Sequence, residues 1–203
     1  RLAFDELLAH QLAIAVIRNY NQKKKGIVIS SNNKLYEKFV KNLKFKLTNS
    51  QKKVVEEITI DLESENQMIR LLQGDVGSGK TIVALIAMLK TVESGYQSVL
   101  MVPTSILANQ HFETFRDLLS DLNLNVEILT SKDKGNDRIN KLQLIANGNI
   151  DIIIGTHALI QEDVVFHKIG LAVIDEQHRF GVYQRMVFHY KGKRPSILVM
   201  SAT

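Results

Sequence analysis

The chain has 203 residues, 45% hydrophobic and 23% charged, a composition that fits one globular domain with a sizeable core. A formal charge of +5 is compatible with a polyanionic partner without requiring one. The absence of cysteine excludes disulfides, cysteine-ligated zinc, iron–sulfur clusters and thiol catalysis, and no apolar run approaches the ~20 residues that cross a bilayer. We expect a soluble, cytoplasmic protein. Because the chain opens on Arg1 and stops at Thr203 directly after an apolar run, we also expect it to be part of something longer.

The first predicted element is an amphipathic helix within the first twenty residues. Its apolar side chains recur at spacings of three and four, at Phe4, Leu7, Leu8, Leu12, Ala15 and Val16. Residues 27–42 are ambiguous, with a short apolar stretch and then a weak helix pattern. A clear helix pattern begins at Thr48 and continues through Leu62.

From Met68 onward, short apolar runs alternate with helix-length amphipathic segments. The runs are 68–72, 99–102, 126–129, 150–154, 171–174 and 197–200. The helix patterns between them cover 81–94, 105–119 and 136–147. This alternation predicts an α/β fold, a mostly parallel sheet flanked by helices.

A phosphate-binding motif follows the first of these runs. The residues Gly74-Asp75-Val76-Gly77-Ser78-Gly79-Lys80-Thr81 match the P-loop pattern G-x-x-x-x-G-K-[ST] and lie between a predicted strand and a predicted helix. Glycines allow the backbone N–H groups to form an anion-binding nest, which the N-terminus of the next helix reinforces. We expect Lys80 to reach the β and γ phosphates of a bound nucleotide, and the Thr81 hydroxyl to bind Mg²⁺.

An acidic pair follows the apolar run 171–174. Asp175 is expected to hold Mg²⁺ through water, and Glu176 to orient or deprotonate the water that attacks the γ-phosphate. A strand followed by acids is common, so the functional interpretation depends on the P-loop upstream.

Gln51 has two interpretations that are compatible with each other. In the first, Thr48 and Gln51 form a capping box at the start of a helix. In the second, the Gln51 amide recognises adenine, because it offers both the donor and the acceptor that the N6 and N7 edge needs.

Taken together, six segments resemble the ordered motifs of superfamily 2 helicases. They are 45–51, 74–81, 103–108 with Gln110 and His111, 155–159, 175–178 and 201–203. Within that superfamily, residues 73–81, 155–161 and 175–182 resemble the RecG family of branched-DNA helicases, and the likeness covers essentially the whole chain.

The resemblance implies a RecA-like P-loop lobe over 45–203, preceded by a helical connector over 1–44, in an ATP-dependent motor acting on forks and Holliday junctions. It implies that the strand leading to Ser201 and Thr203 lies between the strands of the P-loop and the acidic pair, where these two hydroxyls couple ATP to DNA. It also implies that Thr104, Thr156 and His157 contact DNA phosphates, although a buried or merely surface His157 fits nearly as well. Gln177 and His178 are assigned to the nucleotide site.

The resemblance further implies partners beyond this chain, namely a second RecA-like lobe with an arginine finger and a wedge domain that splits junctions. Such a protein acts on the bacterial nucleoid. The closest alternative is the motor of a transcription-repair coupling factor, which commonly has Glu where Gln177 stands. A P-loop kinase and a DNA-gripping module without turnover are two further alternatives.

Overall fold

A computed structural model describes residues 25–175 and 194–202, and this part of the chain forms one six-stranded parallel sheet. The strands are β1 (Ile69–Gln73), β2 (Gln97–Met101), β3 (Val126–Leu129), β4 (Ile152–Gly155), β5 (Ile169–Ile174) and β6 (Ser196–Ser201). Their spatial order is β1-β6-β5-β2-β4-β3, and every adjacent pair is parallel. The predicted α/β fold with a parallel sheet is confirmed.

Five α-helices accompany the sheet in the described ranges. They are α1 (Lys34–Asn42), α2 (Asn49–Glu63), α3 (Lys80–Glu93), α4 (Ser105–Leu118) and α5 (Gly135–Ala146). A short 3₁₀ helix (His157–Ile160) follows β4. The ambiguous segment therefore contains a helix, α1, while the amphipathic helix predicted near Phe4 lies outside the described residues. No helix in the described portion is long and apolar enough to span a bilayer.

Two apolar cores cover the two faces of the sheet. The first contains the buried faces of α1 to α4, including Phe39, Ile58 and Phe115. The second joins the opposite face to α5 and to the segment after β4, including Ile145, Leu159 and Phe166. Because β2, β4 and β5 are buried on both faces, they form continuous apolar runs rather than alternating ones.

Helix α3 is the central helix of the first core. Its residues from Val83 to Thr91 are all buried, because β2 and β5 pack on one side and α1 and α2 on the other. A helix that is apolar around its circumference needs such a position. Helix α2 is also fixed to the sheet, since Arg70 of β1 donates to Glu57 and Asp61 at 2.7 Å each. The middle and the C-terminal turn of α2 are thereby held against β1.

Helix α1 shares the core of α3. Glu93 accepts a hydrogen bond from the backbone N–H of Leu35 at 2.8 Å, and the buried ammonium of Lys90 donates to Asn33. Burial lowers the pKa of Lys90, and the charges of Glu63 and Glu93 oppose that effect. The domain boundary at residue 44 stays a prediction, and α1 packs tightly on the proposed lobe.

The edge strand β3 is protected by charged side chains. The backbone N–H of Ile128 donates to Glu127 at 2.9 Å, and its carbonyl accepts from Lys141 at 2.8 Å. Lys141 also donates to Asp133 at 2.8 Å. Burial alone raises the pKa of Asp133, but hydrogen bonds from Lys141 and Thr130 outweigh it and lower the pKa. These side chains occupy groups that would otherwise pair with another strand.

Candidate nucleotide-binding site

Strand β6 lies between β1 and β5, as the family resemblance implied. All three strands are parallel, so the loop after β1, the end of β6 and the residue after β5 meet at one edge of the sheet. With strands ~4.8 Å apart, β1 and β5 are separated by roughly 10 Å. This topology brings the P-loop and Asp175 to the same side of the molecule.

The loop 74–79 joins β1 to α3 through two glycines in the left-handed region. Gly77 has φ of 81° and Gly79 has φ of 85°, a conformation that glycine adopts without strain. Gly79 is also the N-cap of α3. Because glycine has no side chain to cap the helix, the first N–H groups of α3 remain available to other partners. The loop therefore has the glycine-dependent bend that a phosphate nest requires.

Lys80 is folded toward this loop. Its Nζ donates to the carbonyl oxygen of Gly74 at 2.5 Å and to that of Asp75 at 2.8 Å. Thr81 is the next residue in the first turn of α3. Lys80 and Thr81, which carry the ammonium group and the hydroxyl, are thus the first two residues of α3. The partial positive charge at the N-terminus of a helix favours anions.

Gln51 links α2 to the P-loop. Its Oε1 accepts from the N–H of Thr48 at 2.9 Å, and the Thr48 hydroxyl accepts from the N–H of Gln51 at 3.2 Å, so the predicted capping box is confirmed. In addition, Nε2 donates to the carbonyl oxygen of Ser78 at 2.9 Å. A Cβ at Gly79 would lie 2.3 Å from that same Nε2. Adenine recognition by Gln51 stays a prediction, with the amide located beside the P-loop.

Asp175 follows β5 directly and is held by its backbone. Its N–H donates to the carbonyl oxygen of Met101 at 2.9 Å, which fixes the residue at the carboxyl end of β2. Its Oδ2 lies 3.4 Å from Nε2 of His111, a residue of α4. The two side chains are 19% and 14% exposed, so the contact is largely shielded from water.

His111 is the residue of this site to which sequence reasoning assigned no role. A signal was present, because His111 lies two helical turns after Thr104, on the face that carries the buried residues Ala108 and Phe115. The order of the strands was needed to show that this face of α4 lies next to Asp175.

Ser201 ends β6 beside the P-loop. Its carbonyl oxygen accepts from the N–H of Gly74 at 3.3 Å, and the residue is half-buried. The expected coupling position of Ser201 is therefore adjacent to the phosphate loop. Four other predicted site residues, Glu176, Gln177, His178 and Thr203, lie outside the described residues.

The three residues predicted to contact DNA differ in accessibility. His157 is exposed at the start of the 3₁₀ helix. Thr104 is half-buried, and its hydroxyl accepts from the N–H of Leu107 at 3.2 Å as the N-cap of α4. Thr156 is only 3% exposed, and its Oγ1 has no hydrogen-bond partner within the described ranges. All three DNA contacts stay predictions.

Residues 48–203 match the family model for the DEAD/DEAH box helicase. The chain is 51% identical over its full length to the ATP-dependent DNA helicase RecG of Thermotoga maritima, and 47% identical to that of Bacillus subtilis. It spans 26% and 30% of the lengths of these relatives.

Two solved structures resemble the fold. RecG bound to a three-way DNA junction has a TM-score of 0.86 and 48% identity, with 100% of this chain and 27% of that chain covered. A hypothetical ATP-dependent RNA helicase from Sulfolobus tokodaii has a TM-score of 0.62 over 84% of this chain and 51% of its own, and at 21% identity it supports the fold alone. The predicted RecA-like P-loop lobe is confirmed by these neighbours. Since the family model covers residues 48–203 of 203, the chain belongs to the DEAD/DEAH box helicase family.

Proposed function

We propose that this chain is the ATP-binding and ATP-hydrolysing motor lobe of an ATP-dependent DNA helicase that remodels branched DNA, such as forks and Holliday junctions, in recombination and repair. The observation that carries the proposal is the position of β6 between β1 and β5, which gathers Lys80, Ser201 and Asp175 at one edge of the sheet. The names of the RecG relatives support the branched-DNA substrate. The same relatives do not favour the coupling-factor alternative.

ATP binding begins with the loop 74–79. Gly77 and Gly79 provide the left-handed bends that turn backbone N–H groups toward a phosphate, and Ser78 lies between them. Lys80 then exchanges the carbonyl oxygens of Gly74 and Asp75 for β- and γ-phosphate oxygens. Gln51, beside the loop, faces adenine with the amide that now contacts Ser78.

The donor set near Thr81 and Asp175 fits Mg²⁺, because hydroxyl and carboxylate oxygens are the hard ligands that this ion prefers. Thr81 would bind it directly and Asp175 through water. When bound, the ion neutralises charge on the β- and γ-phosphates. Glu176, the next residue after Asp175, is the group we propose to orient or deprotonate the attacking water. Gln177 and His178 would complete the nucleotide contacts.

DNA binding is proposed for the segments after β2 and β4. Thr104, Thr156 and His157 would hydrogen-bond backbone phosphates, which makes binding independent of sequence and sensitive to salt. The burial of Thr156 means that its hydroxyl reaches DNA only after the segment 156–160 moves. Ser201 and Thr203 would relay the state of the γ-phosphate to these contacts.

The relatives are more than three times as long as this chain, so partners are proposed in the same polypeptide. A second RecA-like lobe would supply the arginine finger, worth roughly 10³ to 10⁵ in rate in related NTPases. A wedge domain would recognise the branch. The lobe alone should therefore hydrolyse ATP very slowly, and the full-length protein should act in the cytoplasm on nucleoid DNA.

The test is the ATPase activity of the full-length protein, measured with and without branched DNA. Lys80→Ala and Glu176→Gln should each abolish DNA-stimulated turnover, while Lys132→Ala, an exposed lysine remote in sequence from the P-loop, should not change it. Unchanged turnover in Lys80→Ala would refute the phosphate site. Phosphate transfer to a small acceptor would point to a kinase instead.

A further inference from the structure

His111 is held in a fixed orientation by the helix that carries it. Helix α4 starts at its Thr104 cap, and Ala108 and Phe115, on the same face as His111, are completely buried. The His111 ring meets the Phe115 ring edge to face, with centroids 6.1 Å apart and planes at 71°. An imidazole packed in this way has little rotational freedom, so the position of its Nε2 atom is fixed.

Its orientation sets His111 apart from its polar neighbours on α4. Asn109, Gln110, Glu113 and Thr114 are exposed, whereas the His111 side chain is only 14% exposed. A largely buried ring nitrogen needs a polar partner. The group that faces Nε2 is the Asp175 carboxylate, 3.4 Å away.

We propose that His111 is a positioning residue for the magnesium site, where its Nε2 holds Oδ2 of Asp175 and fixes the direction of the carboxylate. This inference rests on the proposed function, in which Asp175 contacts Mg²⁺ through water. The contact at 3.4 Å is longer than a strong hydrogen bond, and such contacts often tighten when the catalytic complex forms.

The physical reason lies in the orientation of carboxylates that serve metal ions. A carboxylate that rotates presents the wrong oxygen for much of the time, and partners that hydrogen-bond a direct metal ligand typically improve metal affinity roughly 10- to 100-fold. Because Asp175 is proposed to contact Mg²⁺ through water, we expect an effect at the lower end of that range. The backbone N–H of Asp175 is bonded to the carbonyl oxygen of Met101, and the contact with His111 acts on the side-chain torsions of Asp175.

The experiment uses the full-length protein with a non-hydrolysable ATP analogue and Mn²⁺ as a paramagnetic substitute for Mg²⁺. Mn²⁺ affinity is measured by electron paramagnetic resonance. His111→Leu should weaken Mn²⁺ binding roughly tenfold, and His111→Gln, whose amide nitrogen reaches the Nε2 position, should restore most of it. The Mg²⁺ concentration for half-maximal ATPase should shift in parallel. Thr114→Ala, an exposed change on the same helix, is the control.

Equal Mn²⁺ affinities for folded His111→Leu and wild type would overturn the proposal, as would a His111→Gln variant as weak as His111→Leu. If His111→Leu does not fold, His111→Gln is compared with His111→Asn, whose shorter amide cannot reach the Asp175 carboxylate. Stronger Mn²⁺ binding by the Gln variant supports the proposal, and equal binding refutes it. Asp175→Asn separates the two hypotheses, because an Asp175 variant with unchanged Mn²⁺ affinity would refute the metal site itself.

Discussion

The side-chain amide of Gln51 donates to the backbone carbonyl of Ser78 at 2.9 Å, so the first turn of α2 is joined directly to the phosphate loop. The same side chain completes the capping box with Thr48. One residue therefore serves helix stability and loop position at once. Adenine, if it binds this amide, competes with the Ser78 carbonyl for Nε2.

This double role predicts that Thr48→Ala and Gln51→Ala have different effects. Thr48→Ala removes the cap and should cost about 1 kcal/mol of unfolding free energy, with nearly unchanged affinity for a fluorescent ATP analogue. Gln51→Ala should cost a similar amount of stability and also weaken the analogue about tenfold or more, since a lost hydrogen bond of ~1.4 kcal/mol corresponds to tenfold. Equal nucleotide affinities in the two variants would show that Gln51 caps α2 and does not contribute to nucleotide binding.

Gly79→Ala should impair the P-loop through backbone strain and through displacement of the Gln51 amide from Ser78. A left-handed φ costs a non-glycine residue about 1–2 kcal/mol, and here the added Cβ would also lie 2.3 Å from the Gln51 amide nitrogen. Gly95 is the matched control, because its φ is 81° and a Cβ there meets nothing within 4 Å. We expect Gly95→Ala to lower the free energy of unfolding, measured with urea, by the strain energy alone. Gly79→Ala should lower the free energy of unfolding and also weaken binding of an ATP analogue. Wild-type affinity in Gly79→Ala would contradict the loop geometry.

The Asp133 and Lys141 pair predicts an acid-sensitive contribution to stability. Because the folded-state pKa of Asp133 is lowered, its contribution is complete above the unfolded pKa of about 3.9 and is lost as pH falls through the lower folded value. Asp133→Asn should therefore destabilise the fold by about 1.5–3 kcal/mol near neutral pH and by much less at strongly acidic pH. Urea unfolding at several pH values measures this, and a pH-independent difference would contradict it.

Lys141 contributes in the opposite pH range. Burial alone lowers its pKa, but the hydrogen bond to Asp133 and the charge of Glu127 outweigh it and raise the pKa. This contribution is complete below the unfolded pKa of about 10.4 and is lost only as pH rises through the higher folded value. Near neutral pH both groups are charged, so Asp133→Asn reports on the interaction between the Asp133 carboxylate and the Lys141 ammonium.

Arg138 is expected to order the segment after β4 without contributing much to global stability. It donates to Asp163 and to Gln161, each at 2.8 Å, and Asp163 is 49% exposed. Arg138→Ala should change the unfolding free energy by only about 1 kcal/mol or less, because the carboxylate of Asp163 is half exposed to water. Amide hydrogen exchange over 157–163 should accelerate. Arg116→Ala, which removes an ion pair within α4, should leave that exchange unchanged.

Much of the fold was predictable because apolar runs and helix patterns alternate from Met68 onward. The strands observed at Gln97–Met101 and Ile169–Ile174 start two residues earlier than predicted, at Gln97 and Ile169. Gln97 is polar but buried, with its amide bonded to Ile145 and Ile150, which the pattern did not reveal. Residues 27–42 were ambiguous because the helix formed there is stabilised by tertiary contacts with Lys90 and Glu93.

The positions of the P-loop and Asp175 after their strands were predictable because each motif is contained in a few neighbouring residues, while their chemical roles stay predictions. His111 was not, because its contact with Asp175 spans α4 and β5 and depends on the sheet order. The Gln51 contact with Ser78 escaped prediction for the same reason, as the two residues come from different helices and loops. The spacing of apolar residues shows which face of a helix is buried, but it does not show which residues of other elements that face contacts.

With the N–H and the carbonyl of Ile128 both occupied by side chains, a second copy of this chain that approached β3 would find no free backbone group at that residue. Propagation of pairing at such edges is how sheets of many molecules become fibres. The two side chains that occupy the Ile128 groups are Glu127, within β3, and Lys141, in α5, and they also form an ion pair. This arrangement therefore requires only that α5 packs against β3. A fibre that began at this edge would therefore lack the backbone pairing of Ile128.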